Sequence, residues 1–552
     1  MFYLEKTHTY KLLISKLTIE RLLVYSIFIF FIIKLITRIW TLNKGLVFND
    51  EGWYLLLLRD QPSEIAATNF FKYFKVFSNN NIFNIRLTML ILDIVSIAIF
   101  SYGTYYYYQL KKKLTQLDFL LILSLCFISL DLAAAPVVNV FSYITLNRSI
   151  ALVSIGLILL SVKFSNLISN VLLVISGFLV GGLLFIMITN TPLIFLLLVL
   201  IISIYGYKLK ATYYKSLYLI IGVVLSIIFY FLFIESLSTY YSNLTHTANL
   251  VLNNKIKGGY DIYSLLNWIK ITLIYIVYDI TFYSLSFLGI LYIIKDVSKY
   301  KAMILAFFII FIVLIYYYKY VYQFHNNFGG ISSINPLMIT SVGAFIYSFI
   351  LQRKNHILNW QFLIISILTP IILSFGSNIS FETRLTVYVI FTLPITYIIC
   401  KNNIGIIKLN HILFMIIIMY GINLIPMLRR SNWSKIVYIN QNESVKKIDI
   451  NQSLFLDSER INELELLKKY IEKKSVVAIS TSNLFGHVYL LDLRLSSYNF
   501  KTQQLDNHTA QITYFIEDKM QPFSTEFIKE HITVNFKKIN ISEKYAIYKE
   551  FE

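Results

Sequence analysis

Charged residues are scarce in this chain. Asp, Glu, Lys and Arg make up 14% of its 552 residues, whereas 57% are hydrophobic, and the mean hydropathy is +0.65. Soluble globular proteins carry about 25% charged residues, so this composition excludes that class. It predicts a polytopic membrane protein.

Cysteine, glycine and proline are also few, at 2, 19 and 8 residues. Both cysteines, Cys126 and Cys400, fall within apolar runs, so no disulfide framework is expected. A flippase or transporter is one alternative for a membrane chain, and Asp279 inside an apolar run would suit it. The scarcity of glycine and proline disfavours it, because such proteins carry paired helix breaks near the bilayer centre.

The net charge of +19 would indicate a nucleic-acid partner in a soluble chain. Here the cations stand mostly in short segments between apolar runs, where they set topology and contact lipid head groups. We therefore expect membrane lipids, and no nucleic acid, as partners.

Apolar runs long enough to cross a bilayer recur through residues 1–426. They predict an all-α membrane domain of about 13 transmembrane helices. Residues 427–552 are more polar and predict a small soluble α/β domain outside the cytoplasm, with a helix over 458–474 and a strand over 475–480. The predicted spans are 22–40, 86–108, 119–136, 149–162, 170–189, 191–207, 216–236, 269–294, 302–322, 334–351, 361–376, 385–400 and 411–426.

The distribution of lysine and arginine predicts the orientation. Residues 1–21 are rich in lysine and precede the first span without a cleavage site, which is typical of an uncleaved signal anchor. Lys111–Lys113 and later basic segments fall on the same side, which the positive-inside rule makes cytoplasmic. Residues 41–85 then form the first outer loop, and we expect the protein in the inner (plasma) membrane.

This outer loop holds the most distinctive residues. Asp50 and Glu51 are adjacent carboxylates, followed by the interfacial aromatics Trp53 and Tyr54 and by Arg59. Residues 60–80 have the pattern of an amphipathic helix lying in the interface, with packing on the bundle as the alternative. Such a loop suits a place where a lipid head group meets an acceptor.

The pattern Asp50-Glu51-x-x-Tyr54 after the first span resembles the Asp-Glu-x-x-Tyr motif of GT-C glycosyltransferases, such as protein mannosyltransferases and aminoarabinose transferases. Arg384-x-x-x-Tyr388 followed by Pro394 is a weaker likeness. The resemblance implies a GT-C type membrane fold, an outer C-terminal domain and a polyprenyl-phosphate-linked sugar as donor.

The resemblance also implies residue roles. Asp50 would be the general base for the acceptor hydroxyl, and Glu51 would either orient the acceptor or ligate a divalent metal ion. Apart from the resemblance, His325 or His246 could join Glu51 as a ligand of such a metal. Cations at the outer face would bind the donor phosphate. Those candidates, together with Tyr54 of the motif, are Arg59, Lys72, Lys75, Arg86, Arg148 and Arg384.

The expected activity is therefore transfer of a sugar to an unidentified glycan, lipid or protein acceptor at the extracytoplasmic face, with inversion at the sugar carbon. The leading alternative is a membrane glycan polymerase or ligase, which would depend on outer-loop arginines and histidines instead of Asp50.

Overall fold

A computed structural model describes the chain in segments that cover most of its N-terminal half and most of its C-terminal end. The predicted spans over 269–294, 302–322, 334–351 and 411–426, the boundary at 426, and the interfacial helix beyond its first residue lie outside the described residues. The described residues are 2–46, 48, 50–60, 81–109, 114–130, 142–164, 166–186, 190–204, 209–252, 365–366, 368–373, 388–391, 394–395, 397–398, 401, 440–496, 498–499, 504–505, 512–532 and 536–550.

The part before residue 253 is mostly helical in its described segments. Each of the first seven predicted spans coincides with a helix, and four of these helices are long and apolar enough to cross a membrane. These helices and the composition make the chain an integral membrane protein; the predicted total of thirteen spans stays a prediction. The helices are α1 (Phe2–Trp40), α2 (Asp50–Asp60), α3 (Ile82–Gln109), α4 (Gln116–Ser129), α5 (Tyr143–Ser161), α6 (Asn166–Leu183), α7 (Thr191–Ile204), α8 (Leu209–Phe233) and α9 (Leu237–Leu252).

Two helix pairs pack with backbone against backbone at glycines. A Cβ atom on Gly103 of α3 would lie 2.4 Å from the carbonyl oxygen of Gly156 in α5, and one on Gly177 of α6 would lie 2.1 Å from that of Leu219 in α8. Small residues let membrane helices approach closely, and dispersion contacts between them then replace contacts with lipid.

Helix α2 lies within residues 41–85, the predicted first outer loop, at a position where the sequence predicted no helix. Leu55 to Leu58 are four consecutive leucines, and each is at most 3% exposed. A helix that is apolar on all sides is stable only where it is enclosed on all sides. Helix α2 meets this requirement because it lies between the membrane helices and the C-terminal end of the chain.

Residues 440–550, which we call the C-terminal unit, have the predicted α/β character. The five-stranded sheet has the order β4-β3-β7-β9-β8, in which β3 is parallel to β4 and β7 while β9 is antiparallel to β7 and β8. The elements are β1 (Glu443–Ser444), β2 (Phe455–Leu456), α10 (Ser458–Tyr470), β3 (Val476–Ile479), α11 (Phe485–Leu490), β4 (Arg494–Leu495), β5 (Tyr498–Asn499), β6 (Gln504–Leu505), β7 (Tyr514–Asp518), α12 (Thr525–His531), β8 (Phe536–Asn540) and β9 (Tyr545–Glu550).

Local signals explain the ends of α10 and its place before the sheet. The side chain of Asp457 accepts a hydrogen bond from the Arg460 amide at 2.9 Å, which caps the first turn. Ile461, Leu464 and Leu467 recur at helical spacing and are buried. The helix therefore covers the sheet with one apolar face.

The glycine contact between α3 and α5 predicts a stability effect. Gly103→Ala is expected to lower the free energy of unfolding by about 1–3 kcal/mol, because the added methyl group meets backbone that cannot move aside. Gly182→Ala is the matched control, since the nearest atom to its Cβ is Ser226 Oγ at 3.8 Å. Thermal unfolding in detergent measures both, and equal melting temperatures would contradict the packing described.

Candidate functional site

The acid pair stands at the start of α2, where Asp50 is the first helical residue and Glu51 the second. Glu51 is 3% exposed and forms a bidentate ion pair with Arg86 of α3. Its Oε1 accepts from Arg86 Nε and its Oε2 from Nη2, both at 2.7 Å. Such parallel hydrogen bonds fix the geometry of both side chains.

Arg86 also holds the turn that follows α1. Its Nη1 donates to the carbonyl oxygens of Leu42 and Lys44 at 3.1 Å, and its Nη2 donates to that of Gly45 at 2.7 Å. Gly45 has φ of 64°, a conformation that favours glycine. One guanidinium group therefore joins the end of α1, the start of α2 and the side of α3.

A second buried ion cluster lies one layer further along α3. Asp93 is fully buried, and its carboxylate accepts from Arg38 Nη2 at 2.8 Å, Arg148 Nη2 at 2.9 Å and Ser149 Oγ at 3.1 Å. Arg86 and Asp93 are separated by about 10 Å along the helix axis. The cluster ties α1, α3 and α5 together, which assigns Asp93 to a buried polar network.

Helix α2 packs against α11 of the C-terminal unit with almost no space between the two backbones. The Gly486 amide donates to the Phe48 carbonyl oxygen at 2.7 Å. A Cβ atom on Gly52 would lie 2.4 Å from the Gly486 nitrogen, and the rings of Trp53 and Phe485 stand 4.9 Å apart. Glycine is thus required on both sides of this contact.

The turn after α1 makes a second junction with the C-terminal unit. The amide of Gly45 donates to the Phe455 carbonyl oxygen at 2.8 Å, and the Phe455 amide donates to that of Asn43 at 2.7 Å. This is a short stretch of strand-like pairing with β2. The Arg86 contacts and the β2 contacts therefore hold the same turn from opposite sides.

Arg59, at the other end of α2, reaches the end of α11. Its Nη1 donates to the Tyr489 carbonyl oxygen at 3.1 Å, and its Nη2 donates to the Leu493 carbonyl oxygen. The guanidinium carbon lies 5.3 Å from the centre of the Tyr489 ring. Backbone amides already close the end of α11, since Asp492 N donates to the Tyr489 carbonyl oxygen at 3.2 Å and Leu493 N to that of Val488 at 2.9 Å. Arg59 therefore adds contacts to this helix end from a distant part of the chain.

Behind this junction the C-terminal unit buries a titratable cluster. His487 is fully buried, and its ring lies 4.6 Å from that of Phe48 and 5.5 Å from that of Tyr545. Its Nε2 lies 3.5 Å from Oε2 of Glu463, which also pairs with Lys544 at 2.7 Å and with Arg460 at 2.7 Å. The cluster adjoins the contact with α2, because His487 follows Gly486 in the chain and packs against Phe48.

Burial sets the charge states in this cluster. Burial lowers the pKa of His487 below its ordinary value, although the Glu463 carboxylate opposes this shift. Burial alone would raise the pKa of Glu463, but His487, Arg460 and Lys544 hold it well below its usual range. His487 is therefore neutral, and Glu463 ionised, in the folded protein at neutral pH.

The structure brings only some of the predicted site residues together. Glu51 and Tyr54 lie on α2, and the Tyr54 ring stands 6.2 Å from that of Tyr143. Asp50 is placed by its backbone at the helix start. Lys72, Lys75, Arg384 and His325 lie outside the described residues.

Three predicted phosphate ligands have acceptors within the protein instead. Arg86 binds Glu51, Arg148 binds Asp93, and Arg59 binds carbonyl groups of the C-terminal unit. Charged residues are scarce in this sequence, so each cation predicted at the outer face looks like a candidate ligand for the donor phosphate. In the folded protein a buried cation is instead held by a buried partner. Asp93, an acidic residue within an apolar run, was the signal in the sequence for the buried ion pair that Arg148 joins.

In the part of the chain that the structure describes, the surroundings of Glu51 also do not suit a metal ion. Both of its oxygens accept from Arg86, and a divalent ion there would face a guanidinium group at hydrogen-bond distance. Among the residues that the structure describes, no group of three or more His, Cys, Asp and Glu side chains could hold a metal ion.

The residues that make the junction with α2 were not identified from the sequence. Gly52, Gly486 and His487 have no pattern that distinguishes them from other glycines and histidines, since their contacts join positions more than 400 residues apart along the chain. The run of four leucines after the acid pair was the feature of the sequence that could have indicated a buried α2.

Comparison with known proteins assigns no family. No protein-family description matches the chain, and no curated protein is similar to it in sequence. Among solved structures, apo ArnT from Cupriavidus metallidurans is similar over 94% of this chain and 97% of its own, with a TM-score of 0.43 and 9% sequence identity. A similarity this weak does not by itself assign a fold or a function.

The buried histidine predicts a pH dependence of stability. Because its folded pKa lies below the unfolded value of 6.5, the unfolded state binds more protons, and the stability present at neutral pH is lost as pH falls through that value. The slope for one proton reaches about 1.4 kcal/mol per pH unit. The loss from Glu463 has the same sign but begins at lower pH.

His487→Gln should flatten the upper part of this acid dependence. Melting temperatures of wild type and variant, measured in detergent at a series of pH values from neutral to mildly acidic, separate the two contributions. Parallel curves for the two proteins would show that His487 is not held neutral by burial.

Proposed function

We propose that this protein is a membrane glycosyltransferase of the GT-C type, which moves a sugar from a polyprenyl-phosphate donor to an acceptor at the extracytoplasmic face. The observation that carries the proposal is the position of Asp50-Glu51-x-x-Tyr54. The motif starts a short buried helix directly after the first membrane span, and a bidentate ion pair holds that helix.

Rigid support of the acid pair is what acid–base catalysis needs. A general base must lie within hydrogen-bond reach of the proton that it removes, so its helix has to be held still. Glu51 is fixed by Arg86 from one side, and the neighbouring Asp50 shares the same first turn. We assign Glu51 the role of holding this turn and Asp50 the role of base.

The reaction then runs in one displacement. The acceptor oxygen attacks the anomeric carbon as the Asp50 carboxylate takes the hydroxyl proton, and the bond from that carbon to the phosphate oxygen breaks. The products are the glycosylated acceptor, polyprenyl phosphate and protonated Asp50, with inversion at the anomeric carbon. Asp50 then returns its proton to water.

The leaving phosphate requires nearby positive charge. We retain Lys72, Lys75 and Arg384 as candidates for this role. We do not assign it to Arg86 or Arg148, because separating a buried guanidinium group from its buried carboxylate would cost several kcal/mol. We do not assign it to Arg59 either, because Arg59 binds the carbonyl groups of Tyr489 and Leu493. The inner membrane is the proposed location, since polyprenyl-linked donors require a bilayer.

Asp50→Asn tests the assignment of the base. The variant should lose about 10²- to 10⁴-fold in transfer rate, because an amide cannot accept the proton of the acceptor hydroxyl. The measurement is radiolabelled sugar transfer by purified protein from a panel of polyprenyl-phosphate sugars to membrane extracts, with and without divalent ions.

Glu465→Gln is the matched control, because Glu465 is an exposed carboxylate on α10. It should transfer sugar at the wild-type rate. Full activity of Asp50→Asn would reject Asp50 as base and favour a polymerase or ligase. Wild-type protein that is inactive with every donor would reject the proposed function.

A further inference from the structure

The C-terminal unit contacts α2 near both of its ends, and these contacts differ in kind. Two residues before α2, the Phe48 carbonyl group accepts from the Gly486 amide. In the first turn of α2, Gly52 meets Gly486 backbone to backbone. At the end, Arg59 binds carbonyl groups of α11 and of the residues after it.

We infer that the C-terminal unit is a positioning element for the acid pair, and that Arg59 and Gly486 are the positioning residues through which it holds α2. This inference rests on the proposed function, because it assigns the α2 contacts a role in the rate of transfer. None of these residues needs to touch donor or acceptor.

Arg59 is well suited to this role. Its side chain is 14% exposed, and the Asp492 carboxylate at 3.4 Å is 53% exposed, so that ion pair adds little. The carbonyl groups of Tyr489 and Leu493 are its main acceptors. Asp492 has φ of 56°, which ends α11 and turns the chain between these two carbonyl groups.

The glycine contact determines how closely α2 can approach. A Cβ atom on Gly486 would lie 2.5 Å from Cδ1 of Phe48 and would push the start of α2 away. The acid pair begins two residues after Phe48, so a shift there moves the pair as well. Because Arg86 holds Glu51 from the membrane side, α2 is fixed between two opposed supports.

A base displaced by about 1 Å can slow a reaction about 100-fold while substrate binding is retained. The inference therefore separates the two kinetic constants. Loss of the Arg59 contacts should lower kcat and leave the KM for the donor unchanged. Loss of a phosphate ligand, in contrast, should raise that KM.

The test compares Arg59→Ala, Arg59→Lys and Arg494→Ala in the full-length protein in detergent. Arg494 is exposed on β4, one residue after an acceptor of Arg59, and serves as the matched control. Two measurements are made on each variant: hydrogen exchange of peptides covering residues 50–60, and kcat with KM for the donor.

Arg59→Ala should speed exchange in residues 50–60 about tenfold and lower kcat about 10- to 100-fold, with KM for the donor unchanged. Arg59→Lys should recover part of both, because one ammonium group can reach a carbonyl group but cannot bridge two in a fork. Arg494→Ala should match wild type. A melting temperature close to that of wild type shows that the variants are folded.

Two results would overturn the inference. One is unchanged exchange in residues 50–60 of Arg59→Ala, which would show that the C-terminal unit does not hold α2. The other is a raised KM with unchanged kcat, which would make Arg59 a donor ligand. Hydrogen exchange is measured without substrate and does not depend on transfer activity. If the wild-type protein transfers no sugar, the proposed function is refuted. The exchange rates of residues 50–60 then decide by themselves whether the C-terminal unit holds α2.

Discussion

The bidentate pair between Glu51 and Arg86 is the contact on which the arrangement of the acid pair depends. The five N–H groups of Arg86 donate to one carboxylate and three carbonyl groups. Arg86 therefore fixes the turn after α1 and the first turn of α2 together. A buried ion pair of this kind does little for net stability, because desolvation offsets most of the attraction. Its effect is on geometry, since either partner left alone would be a buried, uncompensated charge.

Helix α2 belongs to two parts of the molecule at once. It follows the first membrane helix and is joined to α3 by the pair of Glu51 and Arg86, yet α11 packs against it from the C-terminal unit, and Phe455 of β2 binds the turn before it. Four buried leucines make this position stable, and two facing glycines make the approach close enough for a backbone hydrogen bond. A motif on an exposed loop would sample many positions, whereas here the acid pair is carried by an element with supports on both sides.

The membrane helices were the predictable part of the fold. Long apolar runs specify spanning helices almost by length alone, so α1 and α3 to α8 appear where the sequence places them. The strand near residue 476 followed from a short apolar segment in a polar background. Helix α2 was missed because charged and aromatic residues surround its four leucines and made the segment resemble a loop.

The partners of the buried charges were not predictable to the same degree. Arg86 and Arg148 stand near the ends of apolar runs, where an interfacial cation and a buried ion pair look alike in a sequence. Which carboxylate each one meets depends on helix packing between segments far apart in the chain. The contact between Gly52 and Gly486 could not be predicted for the same reason, since neither glycine lies in a pattern that indicates the other as its partner.

A double-mutant cycle on Glu51 and Arg86 tests the central claim most directly. Thermal unfolding in detergent is compared for wild type, Glu51→Leu, Arg86→Met and the double variant. Because each single variant leaves one buried charge unpaired, each should lose about 3–5 kcal/mol of stability, whereas the double variant leaves neither charge unpaired and should lose no more than either single variant. Losses that simply add would show that the two side chains do not pair, and the described placement of the acid pair would be wrong.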